Sequence, residues 1–543
     1  MRGLMMDQPL LITSLIKYAA QYHGDTDIVS RTVEGPVHRY TYRDAYNRIQ
    51  QLAHALISLD LGRGDRIATL AWNGYRHFEL YYAISGIGAV CHTVNPRLFP
   101  AQIEYILNHA EDKYIFVDLS FVPLMESLAP RLKHARGVIV MTDAAHKPAT
   151  ALPHVLCYEE LIEGRPEGFD WPSFDEWTAS SMCYTSGTTG NPKGVLYAHR
   201  STVLHSFSIT SADSMALSAR DTVMPIVPLF HVNAWGIPYG APMAGSKLVF
   251  PGPHLDPANL LDLLEREQVT MAAAVPTVWL KVCEHLAQTG QRFSSLRRIL
   301  CGGSAMPEAL IVTLEETYGI EICHAWGMTE ISPVGTSGRL KAAQEKLPRP
   351  QRTRFKISQG RPLYGVQCRI IDAAGKVLPH DGTTLGELCV RGPWVTSGYY
   401  GDDEANKSAF DADGWFRTGD VVSIDPDGWI RIADRTKDLI KSGGEWISSI
   451  DLENAAVGHP DILEAAAIAV PHPVWQERPL LVAVRRHGSA LTRDGLLDFL
   501  RDKVAKWALP DDVSFVDELP HTATGKLLKS ALREQYKRHK LTT

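Results

Sequence analysis

Cysteine is scarce in this chain of 543 residues: eight in all, with no CxxC pair. That excludes a disulfide framework and a cysteine-built zinc site, and it fits reduced thiols in a cytoplasm. No stretch approaches about 18 apolar residues without a charge or a strong polar break, so a membrane-spanning helix is excluded. The first segment, MRGLMMDQPLLITSLIKYAAQYHGD, has only short apolar runs, broken by Lys17, and no small-residue cleavage site. It reads as an amphipathic helix rather than a signal peptide. Neither sign of charge dominates: 55 Lys and Arg against 61 Asp and Glu leave −6. Nucleic acid is therefore not expected as a partner. Internal repeats and low-complexity tracts are absent.

What is present is an ordinary globular balance, 45% hydrophobic and 21% charged, in a chain long enough for two or more domains. From Thr41, Ala45, Ile49, Leu52, Ala53 and Leu56 recur at helical spacing until Leu61-Gly62. Arg66–Trp72 reads as a buried strand, Phe78–Ile87 as a helix, Ala101–Ala110 as a helix and Tyr114–Asp118 as a strand. A similar rhythm returns from Asp221 to Gly319. Such alternation predicts α/β layers with largely parallel strands. Beyond about residue 365 the pattern becomes β-rich, with strands at Cys368–Asp372, Gly386–Arg391, Val421–Ile424 and Trp429–Ile432. Asp425-Pro426-Asp427-Gly428 is the clearest turn signal among them. A charged segment, Asp434–Lys441, opens a piece with α+β logic of its own: strands at Ala465–Val470 and Leu480–Val484, helices at Asp494–Lys506 and Lys526–Lys537. The expected division is 1–433 and 434–543.

The strongest local signal is Tyr184-Thr185-Ser186-Gly187-Thr188-Thr189-Gly190-Asn191-Pro192-Lys193-Gly194. Glycines let backbone N–H groups converge on an anion, hydroxyls add donors, and Lys193 adds a positive charge. It is not a Walker A loop, because Gly-Lys-Ser/Thr is missing at the required spacing. An isolated Gly-rich stretch is usually a solvated turn. The density of hydroxyls and glycines around one lysine favours phosphate binding.

YTSGTTGNPKG resembles the signature of the adenylate-forming superfamily, which includes acyl-CoA synthetases. Four further stretches match that family in order. They are Trp326-Gly327-Met328-Thr329-Glu330, Gly414-Trp415-Phe416-Arg417-Thr418-Gly419-Asp420, Asp434-Arg435-Thr436-Lys437-Asp438 with Lys441–Gly444, and Thr524-Gly525-Lys526. The resemblance covers almost the whole chain. It implies a large N-terminal domain of α/β layers plus a β-rich subdomain, and a small mobile α+β C-terminal domain. It also implies a reaction that joins a carboxylic acid to ATP and then to coenzyme A. Two anions must meet, so the chemistry needs positive charge and in-line positioning.

By resemblance, Lys526, Glu330, Lys193 and His231 are the catalytic candidates, and Thr185 and Glu330 would hold Mg²⁺. Thr185 through Gly190 with Lys193 would cradle the phosphates. Gly302-Gly303-Ser304, His324-Ala325-Trp326 and Gly327 would line the adenine pocket, with Thr329 beside them. Asp420 would accept hydrogen bonds from the ribose, and Arg435, Lys437, Lys441 and Trp446 would touch nucleotide or adenylate. Asp434 would be the pivot, and Gly443 and Gly444 would let a slender pantetheine arm pass. Val232 and Trp235 have the make-up of an acyl-pocket wall, although a buried core Trp is an equally good reading of the residue alone. The alternatives are adenylation for a separate carrier protein, a short or thioether acid such as 3-(methylthio)propanoate as substrate, and a non-catalytic nucleotide sensor. The resemblance further implies a homodimer, while the expectation of a cytoplasmic protein rests on the cysteine usage.

Overall fold

The computed structural model describes residues 1, 3–185, 191–442, 445–521, 527–537 and 539. The N-terminal segment forms the expected helix, Thr13–Tyr22, which buries Leu15, Ile16 and Ala19. The helical spacing after Thr41 is realised as Tyr42–Ser58, and Thr41 and Asp44 close a capping box at its start. That reciprocal pair satisfies two of the otherwise orphaned N–H groups.

Two seven-stranded sheets carry the large domain. In the first, Arg66–Leu70, Val90–Thr93, Tyr114–Val117, Gly137–Val140, Val155–Cys157 and Ala179–Tyr184 run parallel, and Gly194–Ala198 closes one edge antiparallel. In the second, Thr222–Pro225, Lys247–Phe250, Met271–Ala274, Arg298–Gly302 and Glu321–Ala325 run parallel. Asp27–Arg31 joins this sheet beside Lys247–Phe250, in register Ile28 to Leu248. Its own hairpin mate, Val37–Thr41, forms the edge. Both α/β rhythms in the sequence are thus realised, and the early hairpin belongs to the later sheet.

A four-stranded antiparallel sheet follows, of Gln367–Ile371, Gly386–Arg391, Phe416–Ile424 and Ile430–Arg435. Its last turn is the predicted one: Gly428 N–H donates to the Asp425 carbonyl at 2.9 Å, and Gly428 has φ +88°. The division at 433/434 falls within its final strand. The small C-terminal domain packs its own apolar core, including Leu452, Ala467, Leu481, Leu496 and Leu500. Its sheet is built on the long hairpin Ile462–His472 and Gln476–Arg485, flanked by Asp512–Val516. The helix expected over Asp494–Lys506 spans Arg493–Arg501 only. Val504 still packs on the core, but through a turn rather than along a helix. The last expected helix spans Lys529–Gln535.

Candidate functional site

The carboxyl ends of parallel strands from both large sheets face one cleft, the usual place for a ligand in such layers. Ala179–Tyr184 runs into the glycine-rich loop, Arg298–Gly302 into Gly303, and Glu321–Ala325 into Trp326-Gly327. A cavity of about 1240 Å³ opens there. Two glycines permit the close backbone approach that shapes it. A Cβ on Gly302 would lie 2.6 Å from the Ala325 carbonyl oxygen, and one on Gly327 would lie 2.2 Å from that of Pro333.

The two ends of the glycine-rich loop are tied together. Thr185 N–H donates to the Lys193 carbonyl at 2.9 Å, and Lys193 N–H donates to Thr185 Oγ1 at 3.2 Å. Both residues line the cavity. The Lys193 ammonium lies 4.8 Å from the centre of the Tyr399 ring. Tyr399 in turn donates its hydroxyl to Glu330 Oε1 at 2.7 Å. Glu330 is 6% exposed, and burial raises its carboxyl above the usual carboxylate value, opposed chiefly by the Tyr399 hydrogen bond. Thr396 N–H donates to the Glu330 carbonyl at 2.7 Å, which fixes the backbone beneath that carboxyl.

Asp420 sits just behind the cavity wall, 2% exposed. Trp326 Nε1–H donates to its Oδ2 at 2.9 Å, and Arg435 Nε lies 2.7 Å from its Oδ1. Trp326, Arg435 and Lys437 line the cavity together with Gly302, Gly303, Ala325, Gly327 and Thr329. Residues from both sides of the expected domain boundary therefore contribute to one wall.

These features accompany a match to the AMP-binding enzyme family over residues 16–400 and to the AMP-binding enzyme C-terminal domain over residues 451–526. The chain belongs to the AMP-binding enzyme family. It is 50% identical to a 3-methylmercaptopropionyl-CoA ligase of Ruegeria lacuscaerulensis, with 99% of each chain covered. It is 48% identical to a medium-chain-fatty-acid–CoA ligase of Ectopseudomonas oleovorans, covering 99% of this chain and 98% of that one. An anthranilate CoA ligase in complex with anthranoyl-AMP has the same fold, with a TM-score of 0.88, 25% identity and 98% of each chain covered. The superfamily expected from the motifs is the observed one, and with it the acyl-CoA ligase class.

Other residues singled out in the sequence of this AMP-binding enzyme take varied positions. His324 is buried behind the cavity, its Nε2 3.4 Å from the Ser304 carbonyl, and burial lowers its pKa. Ser304 itself is exposed. Asp434 is 1% exposed, and its Oδ2 accepts from Ser449 N–H at 2.8 Å and from Ser449 Oγ at 2.6 Å. Lys441 pairs with Trp446 across a short hairpin, and its N–H donates to Glu477 Oε2 at 2.8 Å. The Trp446 side chain, Ser186 through Gly190, Gly443, Gly444 and Lys526 lie outside the described residues. Leu527, next after Lys526, lines the cavity.

His231, Val232 and Trp235 also line the cavity, at a turn that sequence reasoning did not anticipate. Val232, Asn233, Ala234, Trp235 and Gly236 have φ of +42°, +50°, +45°, +58° and +80°. A left-handed run costs about 1–2 kcal/mol for each residue that carries a Cβ. Only the last of the five is glycine, so nothing local announces the conformation. Tyr399 was likewise missed. It stands in Ser397-Gly398-Tyr399-Tyr400, and its partner Glu330 is distant in the chain.

Proposed function

We propose that the chain is an ATP-dependent, AMP-forming acyl-CoA ligase acting on an aliphatic or thioether carboxylic acid. One observation carries the reading. A single cavity joins the loop ends Thr185 and Lys193, the buried carboxyl of Glu330, and the mostly apolar wall of Val227, Val232, Trp235 and Val275. A carboxylate whose tail rests on that wall meets the α-phosphate of a nucleotide whose phosphates lie on the loop.

In the first half-reaction a carboxylate oxygen attacks the α-phosphorus, the P–O bond to the leaving group breaks, and pyrophosphate departs. Lys193 offsets the charge of the phosphates, and Lys526 meets the charge developing between carboxylate and α-phosphate. Asp420 and Arg435 hold the ribose side of the nucleotide against Trp326. In the second, the thiol sulfur of coenzyme A attacks the acyl carbon, AMP leaves, and the thiol proton passes to solvent. Asp434 is the pivot on which residues 434–543 turn between the two steps. Gly443 and Gly444, with Lys441 beside them, then form the thiol's path, while Lys437 and Trp446 touch the nucleotide or adenylate.

Mg²⁺, when bound, neutralises phosphate charge. Among the described residues no group of three or more His, Cys, Asp or Glu side chains could hold a metal. One buried carboxyl, Glu330, and the Thr185 hydroxyl suit an ion that takes its remaining ligands from phosphates and water.

Incubation with ATP, Mg²⁺ and a panel of acids tests the reading. Acid-dependent pyrophosphate release, followed by thioester formation on adding coenzyme A, is the expected result. Release without transfer to coenzyme A would favour a carrier protein as acceptor, and no release with any acid would rule out the ligase.

A further inference from the structure

The left-handed turn that carries Trp235 is clamped from behind by one buried carboxamide. Asn233 is 4% exposed. Its Nδ2–H donates to Ser181 Oγ at 3.1 Å, and the Cys183 thiol donates to its Oδ1 at 3.3 Å. Ser181 and Cys183 are each 1% exposed and lie on one face of the strand Ala179–Tyr184. That strand runs directly into Thr185 and the glycine-rich loop. On its other side the turn leads to the Trp235 indole, whose Cη2 would lie 3.6 Å from a Cβ on Gly302. One side chain thus ties the acyl wall to the strand that delivers the phosphate loop.

We propose that Asn233 is a positioning residue for acyl selectivity. Through Ser181 and Cys183 it holds Val232–Gly236 left-handed, and so sets how far the Trp235 indole projects into the cavity. Five consecutive residues at positive φ do not persist on local preference, since four of them carry a Cβ that opposes it. Without the clamp the turn relaxes, the indole withdraws, and the cavity lengthens in the direction of an acyl tail. Each methylene that gains an apolar site changes preference by about fourfold. The proposal rests on the acyl-CoA ligase reading.

The test compares Asn233→Gly, Asn233→Ala, Ser181→Ala and Trp235→Ala with wild type. It uses straight-chain acids from propanoate to dodecanoate, and follows kcat/KM for each acid and KM for ATP. Glycine at 233 fits the backbone but lacks the carboxamide, so it separates conformation from clamp. The expected result is a shift of at least about tenfold toward longer acids in Asn233→Gly, in the direction Trp235→Ala gives, with KM for ATP within about twofold. Ser181→Ala should shift the same way by less. It leaves the turn's own side chains intact, so it reports even where the Asn233 variants fail to fold. A wild-type length profile in Asn233→Gly or, if that variant does not fold, in Ser181→Ala overturns the proposal. So does an equal loss for every acid. Wild type that releases no pyrophosphate with any acid would instead overturn the ligase reading, and this proposal with it.

Discussion

The Tyr399 hydroxyl donates to Glu330 Oε1 at 2.7 Å, while the same ring lies 4.8 Å from the Lys193 ammonium. The buried carboxyl and the loop lysine are thus both set by one phenol. A hydrogen bond to a charged group is worth about 1.5–3 kcal/mol, so Tyr399→Phe should lower the rate of adenylation by about 10–100-fold. Burial already raises the Glu330 pKa, and the Tyr399 bond opposes that rise. Activity that needs the ionised carboxyl is lost as pH falls through its pKa. Removing the hydroxyl should move this acid limb to higher pH and raise the Mg²⁺ concentration needed for half-maximal rate. A pH–rate profile with a Mg²⁺ titration checks both, and an unmoved limb contradicts the assignment.

Lys526 is assigned to the first half-reaction alone. Lys526→Ala should slow pyrophosphate formation by roughly 10²–10³. Given preformed acyl-adenylate and coenzyme A, the variant should still make thioester at near the wild-type rate. Equal loss in both assays would remove the division of labour between the two domain orientations.

The family, the place of Thr185, Lys193 and Glu330 at one cavity and the parallel layers were legible in the sequence because each rests on local patterns. A helical period or a run of glycines and hydroxyls is complete within a few residues. The elements that were not legible depend on distant partners. Asp27–Arg31 finds its neighbour at Lys247–Phe250, and Tyr399 finds Glu330 across 69 residues. Asn233 meets Ser181 across 52 residues, and its positive φ, like those of Ala234 and Trp235, carries no glycine as a marker. In the C-terminal domain the helix expected through Lys506 ends at Arg501, and Val504 packs on the core from beyond it.

Asp434 holds Ser449 through two hydrogen bonds at the expected pivot. Asp434→Pro fixes φ near −65° and removes both bonds. It should split the half-reactions, leaving one close to wild type and slowing the other by an order of magnitude or more. Separate assays of pyrophosphate release and of thioester formation from acyl-adenylate measure this. If both rates stay unchanged, the pivot lies elsewhere.

Three buried histidines make the fold sensitive to acid. Burial lowers His77 and His199 from 6.5 to about 4, and His205 to about 3. The unfolded chain takes up protons near pH 6.5 that the folded chain refuses. Their contribution is fully present above that pH and is lost as pH falls through about 4, or about 3 for His205. Each such group contributes up to about 1.4 kcal/mol per pH unit to that slope. His205 Nε2 accepts from Val334 N–H at 3.1 Å, a bond that a glutamine carbonyl can keep. His205→Gln should therefore lose less melting temperature than wild type between neutral and mildly acidic pH. An identical pH dependence would show that His205 takes no part.

Activation of the acid as its adenylate leaves an isotopic record. The purified enzyme is given ATP, Mg²⁺, coenzyme A and a carboxylic acid labelled with ¹⁸O in both carboxyl oxygens. Mass spectrometry then follows AMP, pyrophosphate and the thioester. A carboxylate oxygen that attacks the α-phosphorus stays with AMP when the thiol displaces it. One ¹⁸O in each AMP, none in pyrophosphate, and one thioester for each AMP are expected. Unlabelled AMP, or ADP with labelled phosphate in its place, would contradict it.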